Sequence, residues 1–93
     1  MKKLLILGGT YFQVPAIKYA KGYYVITCDY LPGNPGHKWA DEYYNVSTTD
    51  KEKVMELARS LHVDGILCFA SDPAAPTAAY VSEKLGLPGN PYD

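Results

Sequence analysis

The chain has 93 residues, close to half of them apolar, and a net charge of −1. That is enough for one folded domain, 1–93, with a single modest core burying roughly 60–70% of its unfolded surface. Near-neutral charge and the lack of a basic patch argue against nucleic acid. No run approaches the roughly 20 apolar residues of a membrane span, so no membrane partner is expected.

Lys2 and Lys3 precede the apolar run Leu4–Leu7, but Gly8-Gly9-Thr10 ends it far too early for a secretory signal. The expected location is cytoplasmic. A short continuous apolar run closed by glycines suits a parallel strand covered on both faces. From Val14 to Lys21, Val14, Ile17, Lys18 and Ala20 recur at helical spacing, and Pro15 fits a first turn. This helix is unusually short before Gly22 stops it. Tyr23–Cys28, rich in β-branched and aromatic residues, predicts a second strand.

Prolines, glycines and an asparagine between Asp29 and Asp41 predict a loop carrying His37 and Lys38. Either could meet an anionic substrate; an ordinary solvated loop is the simpler reading. Tyr43–Val46 predicts a brief third strand. Thr49 and Glu52 have the spacing of a capping box, and Val54, Leu57, Ala58 and Leu61 form the apolar stripe of the helix behind it. His62 falls at the exposed end of that helix. Asp64-Gly65 turns the chain into a fourth strand, Ile66–Phe69. Ser71-Asp72-Pro73 is read as the cap of a third helix, Ala75–Leu85, stopped by Gly86 and Pro88. The cysteines, Cys28 and Cys68, fall in strands separated by the first strand, too far apart for a disulfide; both should be buried thiols.

Strands alternating with helices predict an α/β, Rossmann-like three-layer sandwich with a mainly parallel four-stranded sheet, in the order 3-2-1-4. The winding reverses between the first and fourth strands, and ligands bind such sheets beyond the carboxyl ends at that reversal. The flanking loops are Gly8–Gln13 and Ala70–Ala74, with Asp29 ending the second strand nearby. Gly8-Gly9-Thr10 could aim backbone N–H groups at an anion, or simply form a tight turn. Asp29, about twenty positions on, invites a dinucleotide reading. The glycine spacing does not support it, because Tyr11 stands where a pyrophosphate would approach. No G-K-[ST] follows, which excludes a P-loop.

Leu5-Ile6-Leu7-Gly8-Gly9-Thr10, Cys28-Asp29, Asn34-Pro35-Gly36-His37-Lys38, Ala40-Asp41, Asp64-Gly65-Ile66 and Lys84-Leu85-Gly86-Leu87-Pro88-Gly89 occur together and in order. In this the chain resembles the N-terminal, pre-ATP-grasp domain of ATP-grasp ligases, which include biotin carboxylase, carbamoyl-phosphate synthetase and the carboxylate–amine ligases of purine synthesis. The likeness spans essentially the whole chain; one departure is the shortened stretch Lys21-Gly22 at the end of the first helix. It implies activation of a carboxylate by ATP as an acyl phosphate, then attack by an amine. It further implies that ATP and Mg2+ lie between later domains, with no cofactor or metal held by this chain and no catalytic residue on it. The implied substrate-side site is Gly8, Gly9, Thr10, Tyr11, Phe12, Asp29, Ser71 and Asp72, facing a small carboxylate or amine. The expected partners are the remaining ATP-grasp domains, with a homo-oligomer as a further expectation and the isolated chain inactive. The alternative is a small NAD(P)- or nucleotide-binding Rossmann module.

Overall fold

Four strands pair in parallel in the order β3-β2-β1-β4. They are β1 (Lys3–Leu7), β2 (Tyr24–Asp29), β3 (Glu42–Asn45) and β4 (Gly65–Cys68). Among the described residues the helices are α1 (Val14–Tyr19), α2 (Lys51–Leu61) and α3 (Ala75–Leu85), with a 3-10 helix at Pro35–Trp39. The computed structural model describes residues 2–8, 14–20, 22–30, 33, 35–68 and 74–87 (16 and 19 by their backbone alone). The α/β class and the strand order are those expected, and every pairing is parallel.

Strand β1 is central, and its side chains alternate between the two faces of the sheet. Leu5 and Leu7 enter one core with Ile26 and Cys28 of β2 and with Val54, Ala58, Ala78 and Val81 of α2 and α3. Ile6 enters a smaller core on the other face with Ile17, Ala20 and Val25. The layers are therefore α2 and α3, the sheet, and α1 with the 3-10 helix. Leu7 pairs with Cys28 on one side and Cys68 on the other, so β1 separates the two thiols, which are buried and not joined in a disulfide.

Several local expectations are corrected. Each strand begins one residue earlier or later than its apolar run suggests, because ladder pairing rather than side-chain type sets its ends. The connection read as a plain loop contains the 3-10 helix, anchored by contacts with the sheet described below. The α2 cap is Asp50, not Thr49. The Asp50 carboxylate accepts from the Lys53 N–H at 3.3 Å, whereas the Thr49 hydroxyl is engaged with Ser47 at 3.0 Å. At the other end of α2, His62 adopts a left-handed conformation (φ 54°) and its N–H returns to the Ala58 and Arg59 carbonyls. The N-cap of α3 is Ala74, with no side-chain cap, in place of Ser71 or Asp72. Gly86 ends α3 as expected, with φ 66°. Among the described residues no helix is long and apolar enough to cross a membrane.

Polar side chains tie the amino ends of the strands. The Lys3 N–H donates to Asp64 and the Lys3 ammonium to the Leu61 carbonyl. Tyr24 and Tyr44 both donate phenolic O–H groups to Glu42, each at 2.5 Å. Those bonds hold the Glu42 carboxyl below the usual carboxylate range and push the Tyr24 phenol up to about 12.

Candidate functional site at the carboxyl ends of the strands

The parallel register brings two of the eight expected site residues side by side. Gly8 follows β1 and Asp29 ends the neighbouring β2, one step beyond the Leu7–Cys28 pair. Gly8 has φ 98°, a conformation that favours glycine, and its N–H donates to the Cys28 carbonyl at 2.8 Å. Asp29 is buried, 5% exposed, and its Oδ1 accepts from the Tyr30 N–H at 2.8 Å. Gly9, Thr10, Tyr11, Phe12, Ser71 and Asp72 lie outside the described residues, as do the expected Ser71 and Asp72 contacts.

The structure adds three residues to this end of the sheet. Thr27 lies on the same face of β2 as Asp29, and its register partner is Tyr43 of β3. The Tyr43 hydroxyl donates to the Asp29 carbonyl at 2.9 Å. His37, carried by the 3-10 helix, places Nδ1 2.7 Å from the Thr27 hydroxyl and stacks on the Tyr43 ring with centroids 3.8 Å apart. His37 is thus half-buried against the sheet, while Lys38 is exposed. The signal for this cluster is present in the sequence: Thr27 is a polar residue two positions before Asp29 in an otherwise apolar strand. What the sequence does not show is that Tyr43 comes opposite it.

Burial, with the Asp29 charge beside it, pushes the Cys28 thiol up to about 12. Cys28 is therefore not a nucleophile for this site. Burial and Asp29 also raise the Tyr43 phenol, which keeps it a hydrogen-bond donor. The described part of the site thus offers a glycine turn, a fixed carboxylate and neutral donors: groups that bind and orient. Among the described residues no cluster of three His, Cys, Asp or Glu side chains could hold a metal ion.

No protein-family model matches the chain, and no curated protein matches it in sequence. Solved structures do. Phosphoribosylglycinamide synthetase from Anaerococcus prevotii is 27% identical, with a TM-score of 0.86 over 98% of this chain and 24% of its own. The biotin carboxylase domain of the Hydrogenobacter thermophilus 2-oxoglutarate carboxylase, a dimer in complex with MgADP, ADP and bicarbonate, is 18% identical, with a TM-score of 0.79 over 95% of this chain and 22% of its own. UDP-glucose 4-epimerase from Thermotoga maritima is 16% identical, with a TM-score of 0.68 over 91% of this chain and 35% of its own. At their identities the carboxylase domain and the epimerase share the fold alone. The resemblance to the N-terminal domain of ATP-grasp ligases is thus found in three dimensions as well, along nearly the whole chain. The chain spans about a quarter of the length of the synthetase.

Proposed function

We infer that residues 1–93 act as the N-terminal, substrate-side domain of a cytoplasmic ATP-grasp ligase. The observation that carries this reading is the fit of 98% of the chain to the synthetase fold at 27% identity. The placement of Gly8 and Asp29 together at the carboxyl ends of the strands supports it. In the reaction proposed, a substrate carboxylate oxygen attacks the γ-phosphorus of ATP and ADP departs. An amine then attacks the acyl carbon and phosphate leaves. ATP and Mg2+, which supply and neutralise the transferred phosphoryl group, are assigned to the other domains of the ligase. This chain's share is to hold the carboxylate or amine substrate above Gly8-Gly9-Thr10, Tyr11 and Phe12, with Asp29, Ser71 and Asp72 facing it. Alone it has no catalytic activity.

An amide NMR titration of the 93-residue protein tests this reading with MgATP, NAD, small carboxylates and sugar phosphates in turn. The expected result is no response to either nucleotide and weak shifts at Gly8, Asp29 and Tyr30 with the small anions. Micromolar NAD binding at those amides would overturn the ligase reading in favour of a dinucleotide module.

A further inference from the structure

At the opposite end of the sheet from Gly8 and Asp29, where β2 begins, the face carrying α1 is incompletely covered. A cavity of about 460 Å³ opens there, within the size range of small-molecule sites. Its floor is apolar and buried, formed by Ile17, Ala20 and Val25. Its walls are Tyr23 and Trp39, which are 46% and 53% exposed. Only one other large hydrophobic side chain among the described residues, Tyr30, is exposed. Two wide aromatic surfaces left in water around one concavity are a feature of binding sites rather than of solvated surface.

Two opposite charges share the rim. The Lys18 ammonium rests 4.1 Å from the Trp39 ring centroid, which orients it while leaving N–H donors for another acceptor. Asp41 is fixed to the edge of the sheet: its Oδ2 accepts from the Val25 N–H at 2.8 Å, and its own N–H donates to the Val25 carbonyl at 2.8 Å. Lys18 and Asp41 form no ion pair with one another, so the cavity presents a held cation and a held anion over an apolar floor. A neutral or singly charged ligand would leave at least one of them without a counter-charge. We propose that this cavity binds a small zwitterion with an aromatic or branched apolar side chain, an α-amino acid in chemical class. The carboxylate pairs with Lys18, the ammonium with Asp41, and the side chain lies against Tyr23 and Trp39. This site is separate from the crevice at the carboxyl ends of the strands and does not depend on the ligase reading.

Trp39 is the only tryptophan, so its emission reports on the cavity directly. The 93-residue protein titrated with L-phenylalanine should show a saturable change in emission, with amide shifts at Val25 and Asp41 and none at Gly8. Phenethylamine, which lacks the carboxylate, and 3-phenylpropionate, which lacks the ammonium, should each bind about threefold more weakly, the size of one exposed ion pair. Lys18→Gln should weaken phenylalanine and phenylpropionate but not phenethylamine. Asp41→Asn, which keeps an acceptor for the Val25 N–H, should show the mirror pattern. Equal binding of all three compounds, or no saturable response to phenylalanine or leucine, overturns the proposal. So does an emission change that tracks protein concentration and accompanies a dimer in sedimentation, which assigns the surface to a second copy of the chain.

Discussion

The two faces of the sheet are built differently. On one, α2 and α3 supply eleven residues each and close an apolar core around Leu5, Leu7 and Ile26. On the other, α1 supplies six residues, and the buried core among the described residues is Ile6, Ile17, Ala20 and Val25. A six-residue helix is about 9 Å long, roughly half the length of a six-residue strand such as β2. The area it leaves is roofed by polar contacts: His37 on Thr27, Asp41 on Val25, Lys18 on Trp39. Both Asp29 and the aromatic cavity belong to this thinner face. Where hydrophobic burial runs short, side chains that can also meet a ligand hold the layer in place.

The largest expected effect tests that difference directly. Ile26 is fully buried in the larger core, and Ile26→Ala should remove about 2–5 kcal/mol. Against a total stability of roughly 5–15 kcal/mol, this is enough to leave a substantial unfolded fraction. Ile17, on the short α1, borders the open cavity, so the space left by Ile17→Ala joins that opening and the loss should fall near about 2 kcal/mol, the bottom of the same range. Urea midpoints of the two variants measure both. Equal losses would mean that the thinner face is packed as tightly as the thicker one.

A second test uses alkaline pH. The Cys28 thiol is raised from its ordinary 9.0 to about 12, chiefly by burial. The folded protein therefore holds this proton more tightly than the unfolded chain. The resulting stability is complete below pH 9 and is lost as pH rises through 9 toward 12. The loss should reach about 2 kcal/mol by pH 10.5. In Cys28→Ala the slope between pH 9 and 10 should flatten, at the expense of a small constant loss of stability. Tyr24, Tyr43, Tyr44 and Tyr80 are all raised as well, so they add a loss of the same sign at pH above about 10. A wild-type slope between pH 9 and 10 that survives the substitution undiminished would place its origin in groups other than Cys28, the raised tyrosines first among them.

The thicker face is also the more legible one in sequence. The stripe Val54, Leu57, Ala58, Leu61 and the stop at Gly86 follow from local periodicity and glycine conformation, and α3 runs over Ala75–Leu85 as those signals require. The strand order follows from the alternation of elements. The cap of α2 lies one residue beyond the expected Thr49 because Thr49 and Asp50 are both good caps, and the Ser47 contact engages Thr49. On the thinner face, the Pro- and Gly-rich connection carries no periodicity, and its 3-10 helix meets the sheet through His37, which touches Thr27 and Tyr43. Gly8 and Asp29 are legible as a pair because one follows a strand and the other ends its neighbour. Their company with Thr27, His37 and Tyr43 depends on register, which no local signal encodes.

The smallest expected effect asks whether those contacts hold the thinner face. Thr27→Val removes the hydroxyl that meets His37 Nδ1 at almost constant volume, and His37→Phe keeps a ring to stack on Tyr43 while removing the nitrogen. Combined in a double-mutant cycle by urea unfolding, the two should show a coupling of about 1 kcal/mol, the net worth of one partly buried hydrogen bond. The Asp29 and Tyr30 amide resonances should shift in both single variants, since Tyr43 links the His37 ring to the Asp29 carbonyl. A coupling indistinguishable from zero, with the Asp29 amide unmoved, would mean that the stack on Tyr43 alone anchors the 3-10 helix. The crevice wall would then be set by β2 and β3 without it.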